Sequence, residues 1–346
     1  MKIDILSLVE KDIKERKINL KALIHETIEG LKGLNLKEIE TKEVVNKEVR
    51  IKVKTVGLNH RDLATIKGRD KTIEPLIIGS DCAGIVIEKG SEVTLFDVGD
   101  EVIVNPGIGW LNKTEAPPEG FKILQGTFSE EFVIHENFIA LKPKHLTWEE
   151  AGVLSLSALT AYRALFTKGE VTDQETILIP GIGGGVATFL LQFSKAVGAK
   201  VYVTSRSDEK LKKAINVGAD KATDSSKDWE TELENEKVDT VIESVGAATF
   251  NQSLKQLKKG GKMVLFGSST GDVVEMNLRE FFYGQYTLKG TTMGSREEYI
   301  EMLKFIELHS IKPVIDNVYD FEDYEAAFNR IDAAEQMGKI VLRVNK

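Results

Sequence analysis

Residues 177–187 read ILIPGIGGGVA, and this stretch decides the fold because an apolar run leads directly into a cluster of glycines. The run predicts a buried strand, and the residues after it predict a helix over 184–197. Glycines at such a turn let the backbone bend tightly and let a pyrophosphate approach the helix N-terminus, where free N–H groups favour anions. The G-x-x-G-x-x-A spacing of Gly181, Gly184 and Ala187 is typical of a nucleotide-binding turn, although a tight turn without a ligand is the alternative.

Strands and helices alternate on both sides of this turn, from residue 148 to residue 309. The predicted strands are continuous and rich in β-branched residues, which is typical of strands that are buried on both faces. They cover residues 176–179, 200–204, 221–223, 238–242, 262–266 and 286–290. Six such strands separated by helices indicate an α/β domain with a doubly wound parallel sheet, the Rossmann arrangement.

The chain before residue 148 has a different character. Short apolar segments follow one another with Gly, Asp and Pro between them, which predicts a β-rich, barrel-like domain. These segments cover residues 20–25, 49–56, 83–88, 101–105 and 128–135. Residues 147–150 (TWEE) have the pattern of a capping box, and they predict the start of a helix over 151–166.

The two ends of the chain complete the predicted division into domains. Residues 1–18 predict a short amphipathic helix. Beyond residue 310 the pattern predicts a strand over 314–319, a helix over 323–331 and a strand over 339–344. This tail is expected to return to the first domain. The predicted domains are a catalytic domain from residues 1–147 and 310–346 and a nucleotide-binding domain from residues 148–309.

The end of the second predicted strand indicates which nucleotide binds. NAD sites usually carry Asp or Glu at this place, because a carboxylate binds the ribose hydroxyls. Here the strand ends in Ser205, Arg206 and Ser207, with Lys210 one turn later. The missing carboxylate and the two cations favour a clamp for the 2′-phosphate of NADP(H). The alternative is that both cations are only solvated side chains at the start of a helix.

Composition excludes several classes of partner. A net charge of -8 argues against a protein whose main task is to bind nucleic acid, which requires a basic face. No run approaches the roughly 20 apolar residues that span a bilayer, so no membrane partner is expected. Cys82 is the only cysteine, which rules out an intrachain disulfide and fits a reducing, cytoplasmic location. A small-molecule substrate is the expected partner.

Several motifs in a fixed order resemble the medium-chain dehydrogenase/reductase superfamily, over residues 20–346. They are Gly57-Leu58-Asn59-His60-Arg61-Asp62, Gly79-Ser80-Asp81-Cys82-Ala83-Gly84, Val98-Gly99-Asp100-Glu101-Val102, Leu159-Thr160-Ala161-Tyr162 and the glycine turn. Within the superfamily, the chain is most similar to bacterial zinc-type alcohol dehydrogenase-like and quinone oxidoreductase-like proteins. The resemblance implies a GroES-like catalytic domain, a Rossmann domain that binds NADP, and a homodimer, with the strand at 286–290 as a pairing edge.

The zinc ligands of the related alcohol dehydrogenases are missing. In those enzymes a ligand Cys stands at the position of Asn59, and His and Glu stand at the positions of Ser80 and Asp81. Asn and Ser supply neither the charge nor the soft donor atom that zinc prefers. No cysteine lies within residues 106–126, where a structural-zinc lobe would lie. No metal is therefore predicted.

The resemblance also assigns roles to individual residues. Asn59 is the predicted catalytic residue, at the nicotinamide end and at the mouth of the substrate site. Thr160 is expected beside it, and the alternative for Thr160 is a hydroxyl that bonds its own helix backbone. The other predicted cofactor-binding residues follow the strand ends of the open sheet. They are Gly181, Gly183, Gly184, Gly185, Val186, Ser205, Arg206, Lys210, Val245, Phe266, Gly267 and Ser268.

Four further residues lie near these motifs. Three have predicted structural or catalytic roles, and one departs from the family pattern. His60 is either a proton donor or, more commonly for a histidine in a loop, a hydrogen-bonded spacer. Asp62 is expected to fix the turn after Asn59, and Cys82 is expected to be inert core. Ala64 stands where many quinone oxidoreductases carry tyrosine.

These features predict a zinc-independent, NADPH-dependent oxidoreductase that transfers hydride to a quinone or an enone. Such acceptors are already electrophilic. When no metal polarises the carbonyl, the rate of hydride transfer therefore falls less for them than for a simple ketone. Two alternatives stay open. One is an NADP-dependent oxidoreductase of alcohols and aldehydes, and the other is a non-catalytic protein that binds NADPH.

Overall fold

A computed structural model describes residues 19–26, 30–69 and 74–344. The helix predicted over residues 1–18 lies outside the described residues. None of the helices in the described ranges combines the length and the apolar character that crossing a membrane requires.

The strands of the described residues are numbered along the chain. They are β1 (Asn19–His25), β2 (Leu34–Glu40), β3 (Glu48–Gly57), β4 (Leu76–Ile77), β5 (Asp81–Lys89), β6 (Glu101–Val104), β7 (Gly107–Ile108), β8 (Lys122–Ile123), β9 (Glu131–His135), β10 (Ile139–Leu141), β11 (Thr176–Ile179), β12 (Lys200–Ser205), β13 (Lys221–Asp224), β14 (Val238–Glu243), β15 (Leu257–Leu265), β16 (Thr287–Gly290), β17 (Ile315–Asp320) and β18 (Lys339–Arg343).

The helices are numbered in the same way. They are α1 (His60–Gly68), α2 (Trp148–Ala151), α3 (Ser155–Tyr162), α4 (Gly185–Ala196), α5 (Asp208–Val217), α6 (Trp229–Glu232), α7 (Phe250–Gln256), α8 (Leu278–Gly284), α9 (Arg296–Leu308) and α10 (Tyr324–Asp332). A π-helical turn covers Arg163–Lys168, and short 3-10 helices cover Gly30–Gly33, Glu136–Phe138 and Phe321–Asp323.

A six-stranded parallel sheet confirms the predicted Rossmann arrangement. Its order is β13-β12-β11-β14-β15-β16, and every neighbouring pair is parallel. Ile177, Val201 and Val241 in its central strands are completely buried, because a parallel sheet carries helices on both faces. The strand order reverses between β11 and β14, and a crevice at the carboxyl ends of the strands is expected at such a point.

A second sheet joins the two ends of the chain. Its order is β10-β6-β5-β3-β18-β17, and β9 also pairs with β3. The tail beyond residue 310 therefore returns to the sheet of the first part, where Val341 on β18 lies opposite Gly57 on β3. The domain limits at 147/148 and 309/310 stay predictions. The pairing brings the first residue of β18, Lys339, next to the residues that follow β3.

The helix predicted over 151–166 is interrupted. The capping box at Thr147 is present, but α2 ends at Ala151 with Gly152 as its C-cap, and a new helix, α3, begins at Ser155. A side chain at Gly152 would collide with Thr55, since its Cβ would lie 2.3 Å from Thr55 Oγ1. Thr55 also donates a hydrogen bond of 2.6 Å to the carbonyl of Trp148. Contact with β3, which local sequence does not encode, thus restricts position 152 to glycine.

The sequence patterns missed the short strands β4, β7, β8 and β10 of the first part. They also missed two longer elements, β2 and α1. Both are more polar than the segments that were predicted: β2 reads LNLKEIE and α1 reads HRDLATIKG. Their apolar residues pack on the core through a few positions only, such as Leu34 and Ile66. Periodicity over seven to nine residues is too short to reveal such elements.

A buried ion pair lies within the Rossmann part, and its arginine also contacts the first part of the chain. Arg163 Nη1 lies 2.6 Å from Glu298 Oε1, and the two side chains are 1% and 0% exposed. The guanidinium stacks on the ring of Trp110 at 4.6 Å and donates to the carbonyl of Thr114 at 2.7 Å. Trp110 is consequently part of the core and does not line an apolar substrate pocket.

Replacement of Arg163 by Met is expected to lower the free energy of unfolding by about 3–5 kcal/mol, because Glu298 would stay buried without its partner. The control is Lys42→Met, which breaks an ion pair of 2.7 Å with Glu48 in which Lys42 is 64% exposed. Loss of such a surface pair costs less than about 1 kcal/mol. Urea unfolding followed by fluorescence measures both variants, and equal losses would contradict the importance of the buried pair.

Candidate functional site

A cavity of about 1030 Å³ lies at the carboxyl ends of the parallel strands and is closed on its far side by residues of the second sheet. Its size fits a dinucleotide end together with a small substrate. The structure brings all the predicted site residues to its wall. They are Asn59, Thr160, Gly181, Gly183, Gly184, Gly185, Val186, Ser205, Arg206, Lys210, Val245, Phe266, Gly267 and Ser268.

The glycine turn forms one wall and has room for a pyrophosphate. Gly181 has a φ of +73°, in the left-handed region that favours glycine. A Cβ on Gly181 would lie 2.6 Å from Val245, whereas nothing lies within 4 Å of a Cβ on Gly184. Gly184 is also the N-cap of α4 and has no side chain to bond the first N–H groups of the helix. These donors are therefore left to an anion in the cavity.

The wall of the cavity lacks a carboxylate at the end of β12. Ser205 occupies that place, and its Oγ accepts a hydrogen bond of 3.2 Å from Ser207 N. Arg206 is exposed and makes no hydrogen bond or ion pair within the described part of the chain. Lys210 Nζ donates to the carbonyl of Ala334 at 2.7 Å, and burial lowers the pKa of Lys210. The free guanidinium and the nearby ammonium are suited to a phosphate monoester.

The predicted catalytic side chain, Asn59, is 5% exposed and fully engaged within the protein. Its Nδ2 donates to Asp81 Oδ2 at 2.9 Å, and its Oδ1 accepts from Ser157 Oγ at 3.3 Å and from Lys339 Nζ. Thr160 Oγ1 donates to the carbonyl of Leu156 at 2.8 Å. The structure thus has the alternative in which this hydroxyl bonds its own helix backbone. Neither side chain presents a free donor to the cavity.

Lys339 is a site residue that sequence reasoning missed. Its side chain is 2% exposed, and Nζ lies 2.8 Å from the carbonyl of Leu58 and 3.3 Å from Asp81 Oδ2. Burial lowers the pKa of Lys339, while the carboxylate of Asp81 opposes that change. The only local sign in the sequence was a lysine at the start of an apolar strand, KIVLR.

Glu243 is a second buried charge that was missed. Its carboxylate is completely buried at the end of β14 and accepts hydrogen bonds from Val245 N at 2.7 Å and from Ser253 Oγ at 2.6 Å. Thr249 Oγ1 contacts both carboxylate oxygens at 3.0 Å. Glu243 therefore holds the loop after β14, which carries Val245 to the cavity wall.

The residues around Asn59 do not fit a zinc ion. Lys339 already places a positive charge within 3.3 Å of Asp81, and a divalent cation there would be repelled by the ammonium. The donor set lacks thiolate and imidazole ligands. In the part of the chain that the structure describes, no three His, Cys, Asp or Glu side chains are grouped so that they could hold a metal.

His60 opens a helix and does not lie in a loop, which corrects the interpretation of this residue as a loop histidine. Its imidazole lines the cavity, and partial burial, followed by the charge of Lys339, lowers the pKa of His60. Asp62 Oδ2 accepts a hydrogen bond of 2.9 Å from Asn59 N, so it does fix the turn. Cys82 is 1% exposed, and burial raises the pKa of its thiol.

Two family models match the chain. The model described as alcohol dehydrogenase GroES-like domain matches residues 45–144, and the model described as zinc-binding dehydrogenase matches residues 185–307. A zinc-type alcohol dehydrogenase-like protein, YogA, of Leptosphaeria maculans is 34% identical over 328 residues, which are 86% of this chain and 90% of that protein.

Two further relatives carry names with a cofactor. An Arabidopsis thaliana protein named NADPH-dependent alkenal/one oxidoreductase, chloroplastic, is 30% identical over 93% of this chain and 79% of its own length. A crystal structure of an NAD-dependent alcohol dehydrogenase has a TM-score of 0.88 at 30% identity and covers 94% of this chain and 100% of that one. The chain therefore belongs to the medium-chain dehydrogenase/reductase superfamily, a class of oxidoreductases, and resembles its alcohol dehydrogenase-like members.

The buried carboxyl of Asp62 gives a test of this site by pH. Burial raises the pKa of Asp62 to about 7 from 3.8, so the folded chain holds this proton more tightly than the unfolded chain does. Between these two pH values, rising pH is expected to lower the free energy of unfolding of the natural chain relative to Asp62→Asn. The difference grows to roughly 4 kcal/mol, at about 1.4 kcal/mol per pKa unit.

Asp228→Asn is the control, because hydrogen bonds from Thr231 lower the pKa of Asp228. The stability that Asp228 contributes is fully present above its unfolded pKa of about 3.9, so its difference from the natural chain is expected to stay nearly flat between pH 4 and pH 8. Urea unfolding of both variants from pH 4 to pH 8 measures the difference. A flat difference for Asp62→Asn would show that this carboxyl is not desolvated.

Proposed function

We propose that the chain is a zinc-independent reductase that uses NADPH to transfer hydride to a conjugated carbonyl compound, such as a quinone or an enone. One observation carries the proposal: a nucleotide-sized cavity has a free cation at its adenosine end and a lysine ammonium, in place of a metal, at its other end. The first cation is Arg206, which would bind the cofactor. The second is Lys339, which lies at the acceptor end.

The cofactor end follows from the glycine turn. The N–H groups at the start of α4 would hold the pyrophosphate, and Arg206 with Lys210 would hold the 2′-phosphate. When bound, NADPH supplies a hydride from its nicotinamide ring. Val245 and Phe266 give the crevice apolar walls that exclude water from the transfer.

The choice of acceptor follows from the residues around Asn59, whose donor atoms do not fit a zinc ion. Without a Lewis acid, a simple ketone or alcohol loses a contribution of several kcal/mol from polarisation of its oxygen. A conjugated carbonyl needs less help, since the charge that develops spreads over its π system and a few hydrogen bonds stabilise it. The relative named as an alkenal/one oxidoreductase supports this choice and the use of NADPH.

An NADP-dependent oxidoreductase of alcohols or aldehydes is the second candidate. The names of the YogA-like relative and of the matched crystal structure favour it. The third possibility is a protein that binds NADPH without turnover. It is supported by the Asn59 side chain, whose amide nitrogen and oxygen already have partners within the protein. Acceptor specificity distinguishes the three.

We also propose that the chain forms a homodimer through β16, the edge strand of the parallel sheet. Large apolar side chains are exposed on α8 and in the segment just before it: Val273 at 87%, Leu278 at 66%, Phe282 at 51% and Tyr283 at 66%. Exposed apolar side chains on and before the helix that precedes an edge strand favour pairing with a second copy. The residues Phe282 and Tyr283 thus belong to this surface and not to the cavity.

A reducing, cytoplasmic location stays part of the proposal because of the single buried cysteine.

Oxidation of NADPH, followed at 340 nm with quinones, enones, aldehydes, ketones and secondary alcohols, tests the function. Turnover with quinones or enones is expected to exceed turnover with saturated ketones by at least about 10²-fold, since only the conjugated acceptors avoid the need for a metal. Dialysis against a chelator is expected to leave the rate unchanged. Zinc-dependent oxidation of alcohols, or binding of NADPH without any turnover, would contradict the proposal.

Replacement of Arg206 by Ala is expected to weaken NADPH binding by about 10–100-fold, the loss of one charge-assisted hydrogen bond of about 1.5–3 kcal/mol. Binding of NADH is expected to stay unchanged, because NADH has no 2′-phosphate. Arg279→Ala, which removes an exposed arginine of α8 outside the cavity, is the control. Fluorescence titration gives all dissociation constants, and equal losses for both nucleotides would refute a phosphate clamp.

A further inference from the structure

Ser157 lies at the centre of a buried polar set at the inner end of the cavity. Its side chain is on α3, is 3% exposed and lines the cavity. Ser157 Oγ lies 3.3 Å from Asn59 Oδ1 and 3.3 Å from Lys339 Nζ. The only hydroxyl hydrogen of Ser157 is therefore directed to Asn59, while its lone pairs face the ammonium.

The same hydroxyl and the stem of Lys339 lie directly behind the glycine turn. A Cβ on Gly185 would be 2.9 Å from Ser157 Oγ and 2.4 Å from Lys339 Cδ. Since Gly185 is the first residue of α4, the polar set lies next to the place where the cofactor enters. To donate to a ligand in the cavity, the Ser157 O–H must turn from Asn59 towards the cavity that the side chain lines.

Stability does not account for this arrangement. Removal of an ammonium and a carboxylate from water costs several kcal/mol for each ion, and the pair of Lys339 and Asp81 only offsets that cost. The Nζ group has four acceptors within reach, Leu58 O, Asn59 Oδ1, Asp81 Oδ2 and Ser157 Oγ, so that its charge is held in place. A serine hydroxyl that accepts a hydrogen bond from a cation is a stronger donor than an isolated one.

We propose that Ser157 is the catalytic residue that donates a hydrogen bond and then a proton to the carbonyl oxygen of the acceptor, with Lys339 as the positioning residue that resupplies the proton. The inference deepens the proposed function and rests on it. It assigns to Ser157 and Lys339 the polarisation of the carbonyl oxygen, which a zinc ion performs in the related enzymes.

The step balances in atoms and charge. A hydride with its electron pair forms a bond to the β-carbon of the enone, the carbon–carbon π pair moves towards the carbonyl, and negative charge collects on the oxygen. The proton of Ser157 Oγ passes to this oxygen as a proton from Lys339 Nζ passes to Ser157. The enol leaves and becomes the saturated ketone in water, NADPH has become NADP⁺, and the Lys339 amine regains a proton from solvent.

The test compares Ser157→Ala and Lys339→Met with Lys142→Met. Lys142 is a matched control because its side chain is 7% exposed and pairs with Glu101 at 3.1 Å, away from the cavity. Loss of an oxyanion donor is expected to lower kcat by about 10²-fold in both site variants. NADPH dissociation constants are expected to change by less than about threefold, because neither group is needed for the ground-state complex. Lys142→Met is expected to keep its kcat.

A second readout does not depend on turnover. In the complex with NADP⁺ and a ¹³C-carbonyl enone, isotope-edited infrared spectroscopy is expected to show a carbonyl stretch shifted to lower frequency. The shift is expected to vanish in Ser157→Ala. A shift without turnover in the natural chain would refute the proposed reductase and leave the donor in place. Turnover with kcat and the shift unchanged in Ser157→Ala would refute the donor and leave the reductase in place.

The role of Lys339 has its own decisive outcomes. If Lys339→Met raises the dissociation constant of NADPH and keeps kcat, Lys339 anchors the cofactor and the proposal is wrong. If Lys339→Met fails to fold, the double variant Lys339→Met with Asp81→Asn decides, because it leaves no unpaired buried charge. A double variant that folds, binds NADPH and remains slow supports the proposal, whereas recovered kcat shows that Lys339 is only a counterion.

Discussion

The site depends on the pairing of β18 with β3, which brings the last strand of the chain beside the segment that follows the first long strand. Lys339 and Asn59 are 280 residues apart, yet their side chains are in contact because both stand at the same end of this pair. In this position the Lys339 side chain lies beside Gly185, and its Nζ lies 3.3 Å from Asp81 Oδ2. One strand pairing thus fixes the glycine turn, the polar set and the closed wall of the cavity relative to one another.

Three buried charged side chains, Lys339, Arg163 and Glu243, each have partners within the protein. Lys339 has Asp81, Arg163 has Glu298, and Glu243 has hydroxyl and N–H donors. Buried charges are weak sources of stability, but an incomplete set is costly, so they define one arrangement of the neighbouring loops. They orient the segments that line the cavity, which apolar packing alone would leave less well specified.

The sequence predicted those features that are encoded locally. Six parallel strands, the glycine turn and the serine that replaces a carboxylate at the end of β12 were all visible, because each depends on residues a few positions apart. The break after α2 and the buried Lys339 were not visible. Gly152 is limited by Thr55, and Lys339 by Asp81, which lies 258 positions away. Only the three-dimensional arrangement shows that an apparently ordinary lysine is buried beside Asn59.

A fixed ammonium differs from a zinc ion in ways that affect the chemistry. Zinc binds an oxygen directly and carries two charges, whereas Lys339 carries one charge and, in the proposed mechanism, acts on the acceptor through the Ser157 hydroxyl. An ammonium is also a source of protons, which a bare metal is not. A weaker polarising group with a proton available suits an acceptor that is already electrophilic and that must gain one proton as well as a hydride. The ammonium beside Asn59, and not merely the absence of zinc ligands, therefore supports the proposed reduction of a conjugated carbonyl.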